Sequence, residues 1–244
     1  MLICAVVPVY NHGDAVGSVV AALRAQDLPC VLVDDGSDGY CAGVLDALAA
    51  GDERIHLVRL PVNSGKGGAM IAGLRAAQAL GFSHALQIDA DGQHDGADVP
   101  RFLDLARRHP EALICGCPLY DADAPKSRRY GRYATHVWVW INTLSLDIAD
   151  AMCGFRVYPL AATVPLFDHV RLGLRMDFDV EVLVRLSWRG MRFVNQPTRV
   201  SYPLDGVSHF QLWRDNLRIG RMHAKLFFGM LPRMPLLLAR KVRR

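Results

Sequence analysis

The chain has 244 residues, 51% hydrophobic and 21% charged, which is enough apolar material for a full-sized core and too much for a disordered chain. Its six cysteines, Cys4, Cys30, Cys41, Cys115, Cys117 and Cys153, form no C-x-x-C pair, which argues against a zinc site or disulfide framework and for reduced, mostly buried thiols. The net charge of +4 lies in the tail: residues 214–244 hold nine Lys/Arg and one acid, against 19 basic and 23 acidic groups elsewhere, so the tail is expected to meet an anionic surface and no nucleic-acid partner is expected.

Leu2 to Val9 is a continuous apolar run, as in a strand covered on both faces, and Pro8 is expected to end it. The run has no basic n-region, so it is not read as a signal peptide, and the protein is expected in the cytoplasm. Val16 to Ala25 predicts a helix with Asp14 as its cap. A second strand, Cys30 to Val33, runs into Asp34-Asp35-Gly36-Ser37-Asp38. A helix near Cys41 to Ala50, a strand Ile55 to Arg59, a Gly-rich loop and a helix from Lys66 to Leu80 follow. The strand Ala85 to Ile88 then ends in Asp89-Ala90-Asp91-Gly92-Gln93-His94. This alternation implies a mostly parallel sheet with right-handed crossovers, whose ligands bind beyond the carboxyl ends of the strands. The second half reads as a strand Leu113 to Gly116, a polar, basic loop Tyr120 to Tyr133, helices Thr135 to Leu146 and Phe178 to Arg189, and strand-like Arg192 to Asn195 and Arg199 to Tyr202.

Three polar clusters fall at that sheet edge. Asp89-x-Asp91-x-Gln93 sets two carboxylates and an amide oxygen on a turn, a donor set suited to Mg²⁺ or Mn²⁺ completed by substrate phosphates. A lone D-x-D is more often a solvated turn; the two other clusters shift that balance. Asp34-Asp35 offers acceptors for a nucleobase N–H or ribose hydroxyls, or simply closes a turn. Asn63-Ser64-Gly65-Lys66-Gly67-Gly68-Ala69 puts small residues and Lys66 before a helix, where backbone N–H groups favour an anion. It is not a Walker A loop, which would need Gly at Leu60 and Ser or Thr at Gly67. Nor is it a dinucleotide fingerprint, which would need Gly or Ala at Met70.

Pro8-Val9-Tyr10-Asn11, Val33-Asp34-Asp35-Gly36-Ser37-Asp38-Gly39, Asn63-x-Gly65-x-Gly67-x-Ala69 and Asp89-x-Asp91-x-Gln93-His94 resemble, in this order, the signatures of family 2 glycosyltransferases. Asp150-Ala-Met-Cys-Gly154-Phe155-Arg156 adds a likeness to dolichyl- and polyprenyl-phosphate sugar synthases. The resemblance covers roughly residues 1 to 205 and implies an α/β GT-A fold with one nucleotide-binding sheet. It implies Pro8, Tyr10, Asn11 and Asp35 around the donor base, Asp89 on ribose or metal, and Asp91 and Gln93 on the metal. His12 stands where the family usually has Glu, which leaves guanine and uracil both open.

Glycosyl transfer builds positive charge on the sugar and negative charge on the departing diphosphate, so a metal and nearby cations lower its barrier. A phosphate acceptor is already anionic and needs positioning by basic groups, whereas a hydroxyl acceptor needs a general base. Lys126, Arg128, Arg129, Arg132 and Arg156 offer a basic lining. The resemblance marks Arg132 and Arg156 as phosphate contacts and Asp150 as near the sugar; Glu181 or Asp150 would be the base for a hydroxyl acceptor.

In the tail, Arg214, Arg218, Arg221 and Lys225 form a helical stripe, with Leu212, Ile219 and Leu226 opposite. Apolar Phe227, Phe228, Met230, Leu231 and Leu236 to Leu238 and the cations Arg240, Lys241, Arg243 and Arg244 follow. Pro232, Arg233 and Pro235 interrupt the run, so it predicts a peripheral segment on the inner face of the cytoplasmic membrane, not a span. The alternative is a helix packed on the body.

The expected organisation is a glycosyltransferase domain over 1–211 and a basic amphipathic tail over 212–244. The expected activity is metal-dependent transfer of a hexose from a GDP- or UDP-sugar to a lipid acceptor, polyprenyl phosphate first, with inversion implied by the family resemblance alone. A hydroxyl acceptor in envelope glycan or glycolipid synthesis, a sugar nucleotidyltransferase and a non-catalytic membrane scaffold are the competing readings.

Overall fold

The computed structural model describes residues 1–119, 126–200 and 212–242, excluding the side chains of 126–131, 212–214 and 242. In chain order the first half holds β1 (Ile3–Val9), α1 (Gly13–Arg24), β2 (Cys30–Asp34), α2 (Gly39–Gly51), β3 (Ile55–Arg59), α3 (Lys66–Ala79), β4 (His84–Gln87) and α4 (Val99–Arg108). The second half holds β5 (Ala112–Leu119), α5 (Lys126–Thr143), β6 (Arg156–Pro159), short α6 (Leu160–Thr163) and α7 (Leu166–His169), α8 (Phe178–Trp188), β7 (Arg192–Arg199), α9 (Leu212–Met230) and α10 (Met234–Val242).

The seven strands form one sheet in the order β3-β2-β1-β4-β6-β5-β7. All run parallel except β6, which is antiparallel to both β4 and β5. The strand runs are apolar throughout because helices cover both faces. Cys4, Val6, Val31 and Val33 point into a core shared with α3, α5, α8 and α9. Their neighbours Ala5, Val7, Val9 and Leu32 join the core under α1, α2 and α4. Gly73 of α3 lies so close to β1 and β2 that a Cβ there would sit 2.5 Å from Val6 and 2.8 Å from Val33.

Several sequence expectations change. β1 continues one residue past Pro8, since proline forfeits only its own N–H in the ladder. The α1 cap position is His12 without a side-chain bond, and Asp14 instead accepts from the Tyr40 hydroxyl at 2.8 Å. The expected basic loop ends early, because α5 is helical from Lys126; lysine and arginine are good helix formers and need no apolar stripe to begin one. β6 was not expected. β7 is one strand running through Pro197, which the sheet tolerates at its edge. Tyr120 to Pro125 and Ser201 to Tyr202 lie outside the described residues.

The thiols are all free, and only Cys117 is not fully buried. Burial pushes Cys153 up to about 12 and Cys117 up to about 11, so they stay protonated.

Candidate active site

β1, β2 and β4 end at one edge, and the turns beyond them are tied together by their own polar groups. Asn11 adopts a left-handed conformation with φ of 56°, which asparagine accepts more readily than most residues. Its Oδ1 accepts from the Asp38 N–H at 2.8 Å, and its own N–H donates to Ser37 Oγ at 3.2 Å. Asp34 accepts from Ser37 N–H and from Arg59; burial pushes its carboxyl up, but these donors win and hold it below the usual range. Asp35 is 2% exposed and accepts from the N–H groups of Ser64 at 2.6 Å and Gly65 at 2.8 Å. Burial raises its pKa. Pro8 and Tyr10, both half-buried, flank this group at the end of β1.

By holding Ser64 and Gly65, Asp35 fixes the start of α3 and so aims the next residue. Gly65 has φ of +85°, and a Cβ there would sit 2.5 Å from the Leu174 carbonyl oxygen, so only glycine fits. Lys66 then reaches Asp89 and Asp179, with its ammonium 2.9 Å from each carboxylate. Burial would deprotonate the lysine, but the two acids dominate and raise its pKa. Asp89 shows the mirror effect: burial pushes it up, yet Lys66 and His94 hold it well below the usual carboxylate range.

Asp89 and Asp91 follow β4. The Asp91 Oδ1 accepts from the Gln93 N–H at 3.0 Å, closing a turn around Gly92 with φ of +71°. Gly154, just before β6, packs on this turn so closely that a Cβ would lie 2.4 Å from Asp89 Oδ2. Asp89, Asp91, Gln93 and Arg132 line one cavity of about 150 Å³ with Gly154. Arg132 enters from α5 and is gripped by Asp150 at 2.6 and 2.7 Å through two parallel hydrogen bonds. Asp150 also accepts from the N–H groups of Met152 and Cys153 at 2.8 Å and lies 3.3 Å from His136. Burial opposes its charge, but His136 and Arg132 prevail and hold its carboxyl far below the usual range.

The donor set fits a hard divalent ion. Asp89 Oδ1 lies 2.9 Å from the Lys66 ammonium, and carboxylate and amide oxygens are the ligands that Mg²⁺ and Mn²⁺ prefer. Among the described residues no group of three or more His, Cys, Asp or Glu could hold a metal ion.

Arg156 stands apart from this cavity. It is fully buried, and its guanidinium donates to the Ala151 and Asp179 carbonyls at 2.8 Å and to the Tyr158 hydroxyl at 3.1 Å. The Tyr158 hydroxyl donates to Gln87 Oε1, and Gln87 donates to Asp179. The side chains of Lys126, Arg128 and Arg129 lie outside the described residues. Glu181 is buried on α8, accepting from Gly173 N–H, Arg185 and Lys225. Asp179 carries no motif of its own; its place beside Glu181 at the start of α8 was the available signal.

Residues 4–162 match glycosyl transferase family 2. An undecaprenyl-phosphate mannosyltransferase from Micrococcus luteus is 28% identical over 204 residues, spanning 81% of this chain and 82% of its own. A glucosyl-3-phosphoglycerate synthase from Mycobacterium tuberculosis, solved with Mn²⁺, UDP-glucose and phosphoglyceric acid, aligns at a TM-score of 0.60 with 18% identity. That alignment covers 95% of this chain and 79% of the synthase. A mannosyltransferase from Pyrobaculum calidifontis, solved with GDP-mannose and Mn²⁺, aligns at 0.58 with 14% identity over 99% of this chain and 75% of its own. The likeness to solved structures identifies the fold as GT-A, as the motif order implied. With the family matched across β1 to α6 and the shared sheet in place, the chain belongs to glycosyl transferase family 2 and is a glycosyltransferase.

Proposed function

We propose that this enzyme moves a hexose from a GDP- or UDP-sugar to polyprenyl phosphate, inverting the anomeric carbon, with Mg²⁺ or Mn²⁺ at the acidic turn. One observation carries the reading: the oxygen donors of Asp89, Asp91 and Gln93 share a cavity with Arg132, so a site for the leaving diphosphate faces a site for an acceptor phosphate. The mannosyltransferase relative named for undecaprenyl phosphate supports the acceptor class.

Asp89, Asp91 and Gln93 would hold the ion, which would neutralise charge on the departing diphosphate. Lys66 adds a cation on the donor side. Tyr10, Asn11 and Asp35 border the nucleoside, with Pro8 behind them. Arg132, locked in one orientation by Asp150, presents a planar cation to the acceptor phosphate. The acceptor oxygen attacks the anomeric carbon as the bond to the nucleoside diphosphate breaks, and a single displacement inverts that centre. Arg156 serves from within, fixing Asp179.

The state of Asp150 and Glu181, the two carboxylates read as candidate bases, favours a phosphate acceptor over a hydroxyl. Asp150 is committed to Arg132 and strongly resists protonation, and Glu181 is 1% exposed with its oxygens on Lys225, Arg185 and Gly173. Neither is placed to take a hydroxyl proton. Incubation with Mn²⁺ and UDP- or GDP-sugars, with and without polyprenyl phosphate, tests the reading. Nucleoside diphosphate should appear only with lipid and one donor, and Asp89→Ala/Asp91→Ala should cut turnover by at least about a thousandfold. Full turnover in that variant, or release of pyrophosphate, would sink it.

We further propose that the protein sits peripherally on an anionic membrane through residues 212–244 and their surroundings. No helix among the described residues is long and apolar enough to cross a membrane. Phe228, Leu231, Met234, Leu236, Leu238 and Trp138 are exposed alongside exposed Arg221, Arg233 and Lys241, the mixture expected at a headgroup boundary.

A further inference from the structure

The ammonium of Lys66 already pairs with Asp89, one of the carboxylates proposed to hold the ion. It lies 2.9 Å from Asp89 and 2.9 Å from Asp179, with only 18% of the side chain exposed. The two acids differ in freedom. Asp179 sits in the first turn of α8; its carboxylate accepts from Gln87 at 3.2 Å, and Arg156, itself completely buried, lies 3.5 Å from it. Asp89 sits on a turn beyond β4, with 24% of its side chain exposed against 7% for Asp179, and has His94 at 3.8 Å as its other neighbour.

Two cations beside one carboxylate repel each other, strongly so away from bulk water. A divalent ion arriving alone must therefore share Asp89 with Lys66 or displace it without recompense. An ion arriving with a diphosphate brings anionic oxygens that Lys66 can take in exchange for Asp89.

We infer that Lys66 is the resident counter-ion of Asp89, making metal binding conditional on the nucleotide, and that Asp179 is the post that keeps the ammonium in the cleft once Asp89 turns to the metal. The inference rests on the metal reading above and adds an order of events to it: ion and nucleotide bind together, each strengthening the other by the same factor. Asp179 and Arg156 are in this scheme positioning residues, acting through Lys66.

The test is direct Mn²⁺ titration of the full-length protein, following the spin-resonance signal of the free ion, with Mn²⁺ alone, with GDP and with UDP. Wild type should bind Mn²⁺ weakly alone and more tightly with one of the nucleotides. Lys66→Met should bind Mn²⁺ alone about tenfold more tightly and lose a similar factor of the nucleotide-induced gain, while Lys66→Arg, which keeps the charge, should stay weak without nucleotide. A folded Lys66→Met that binds Mn²⁺ alone no better than wild type overturns the inference; if that variant does not fold, Lys66→Gln decides on the same criterion. Failure of the underlying reading looks different, since wild type would then bind Mn²⁺ no better with either nucleotide and Asp89→Asn would leave binding unchanged.

Discussion

Asp150 shows how one side chain can be both a structural pillar and a source of pH dependence. Its carboxylate takes two bonds from Arg132 and two from backbone N–H groups, and it is 4% exposed. Asp150→Asn should cost about 3 kcal/mol of stability, because it strands a guanidinium that was paired out of water, and should lower Tm by roughly 6–12 °C in a scanning-calorimetry comparison. The folded pKa is depressed, so this stabilisation is complete above the unfolded value of about 4 and fades as pH falls below it. The variant should accordingly show a flatter loss of stability below about pH 4; an unchanged slope would refute the assignment. Asp89-x-Asp91-x-Gln93 was legible in the sequence because its geometry is local: five residues of turn fix where the oxygens go. Asp179 was not, since its meeting with Lys66 depends on how α3 and α8 pack. Arg156, marked as a phosphate contact by the family resemblance, lies buried on β6 opposite Gln87 and Cys115, a placement that depends on how the sheet is assembled.

At the level of elements, the long apolar strands and the helices that follow them were legible because burial on both faces leaves an uninterrupted signal. β6 has four residues, too few for periodicity to register, although its approach through Gly154 shapes the cleft. Gly154→Ala would push a methyl into Asp89. Displacing that carboxylate should lower kcat/KM about a hundredfold, while the fold, anchored by the rest of β6, should keep its far-ultraviolet circular dichroism. Wild-type kinetics in this variant would mean that Asp89 need not stay where it is. The polar start of α5 concealed its helix because charge density resembles a loop when no partner surface is in view.

Seen as a whole molecule, the chain uses its last two described helices twice. Met222, Leu226, Met230 and Leu237 are buried in the core shared with α3, α5 and α8, and Lys225 reaches back to Glu181 at 3.1 Å; the stripe read from the sequence is thus partly turned to the body. Arg218 pairs within α9 with Asp215 at 3.0 Å and keeps much of its side chain exposed, and the side chains of Leu212 and Arg214, with Arg243 and Arg244, lie outside the described residues. Removing residues 226–244 would therefore open the core as well as strip the surface. Phe228→Ser/Leu236→Ser, which touches only exposed positions, should weaken co-sedimentation with anionic liposomes by at least about tenfold and leave Tm unchanged; undiminished sedimentation would end the membrane proposal. The reversal of β6 has a wider consequence for how such an enzyme can diversify. Because β6 returns against its neighbours, the excursion from β5 through α5 leaves and re-enters the sheet beside β4, apart from β1, β2 and β3, which lead into Asn11, Asp35 and the loop before Lys66. Residues in that excursion away from Arg132 and Asp150 can therefore vary without disturbing the turns after β1 and β2 or the start of α3.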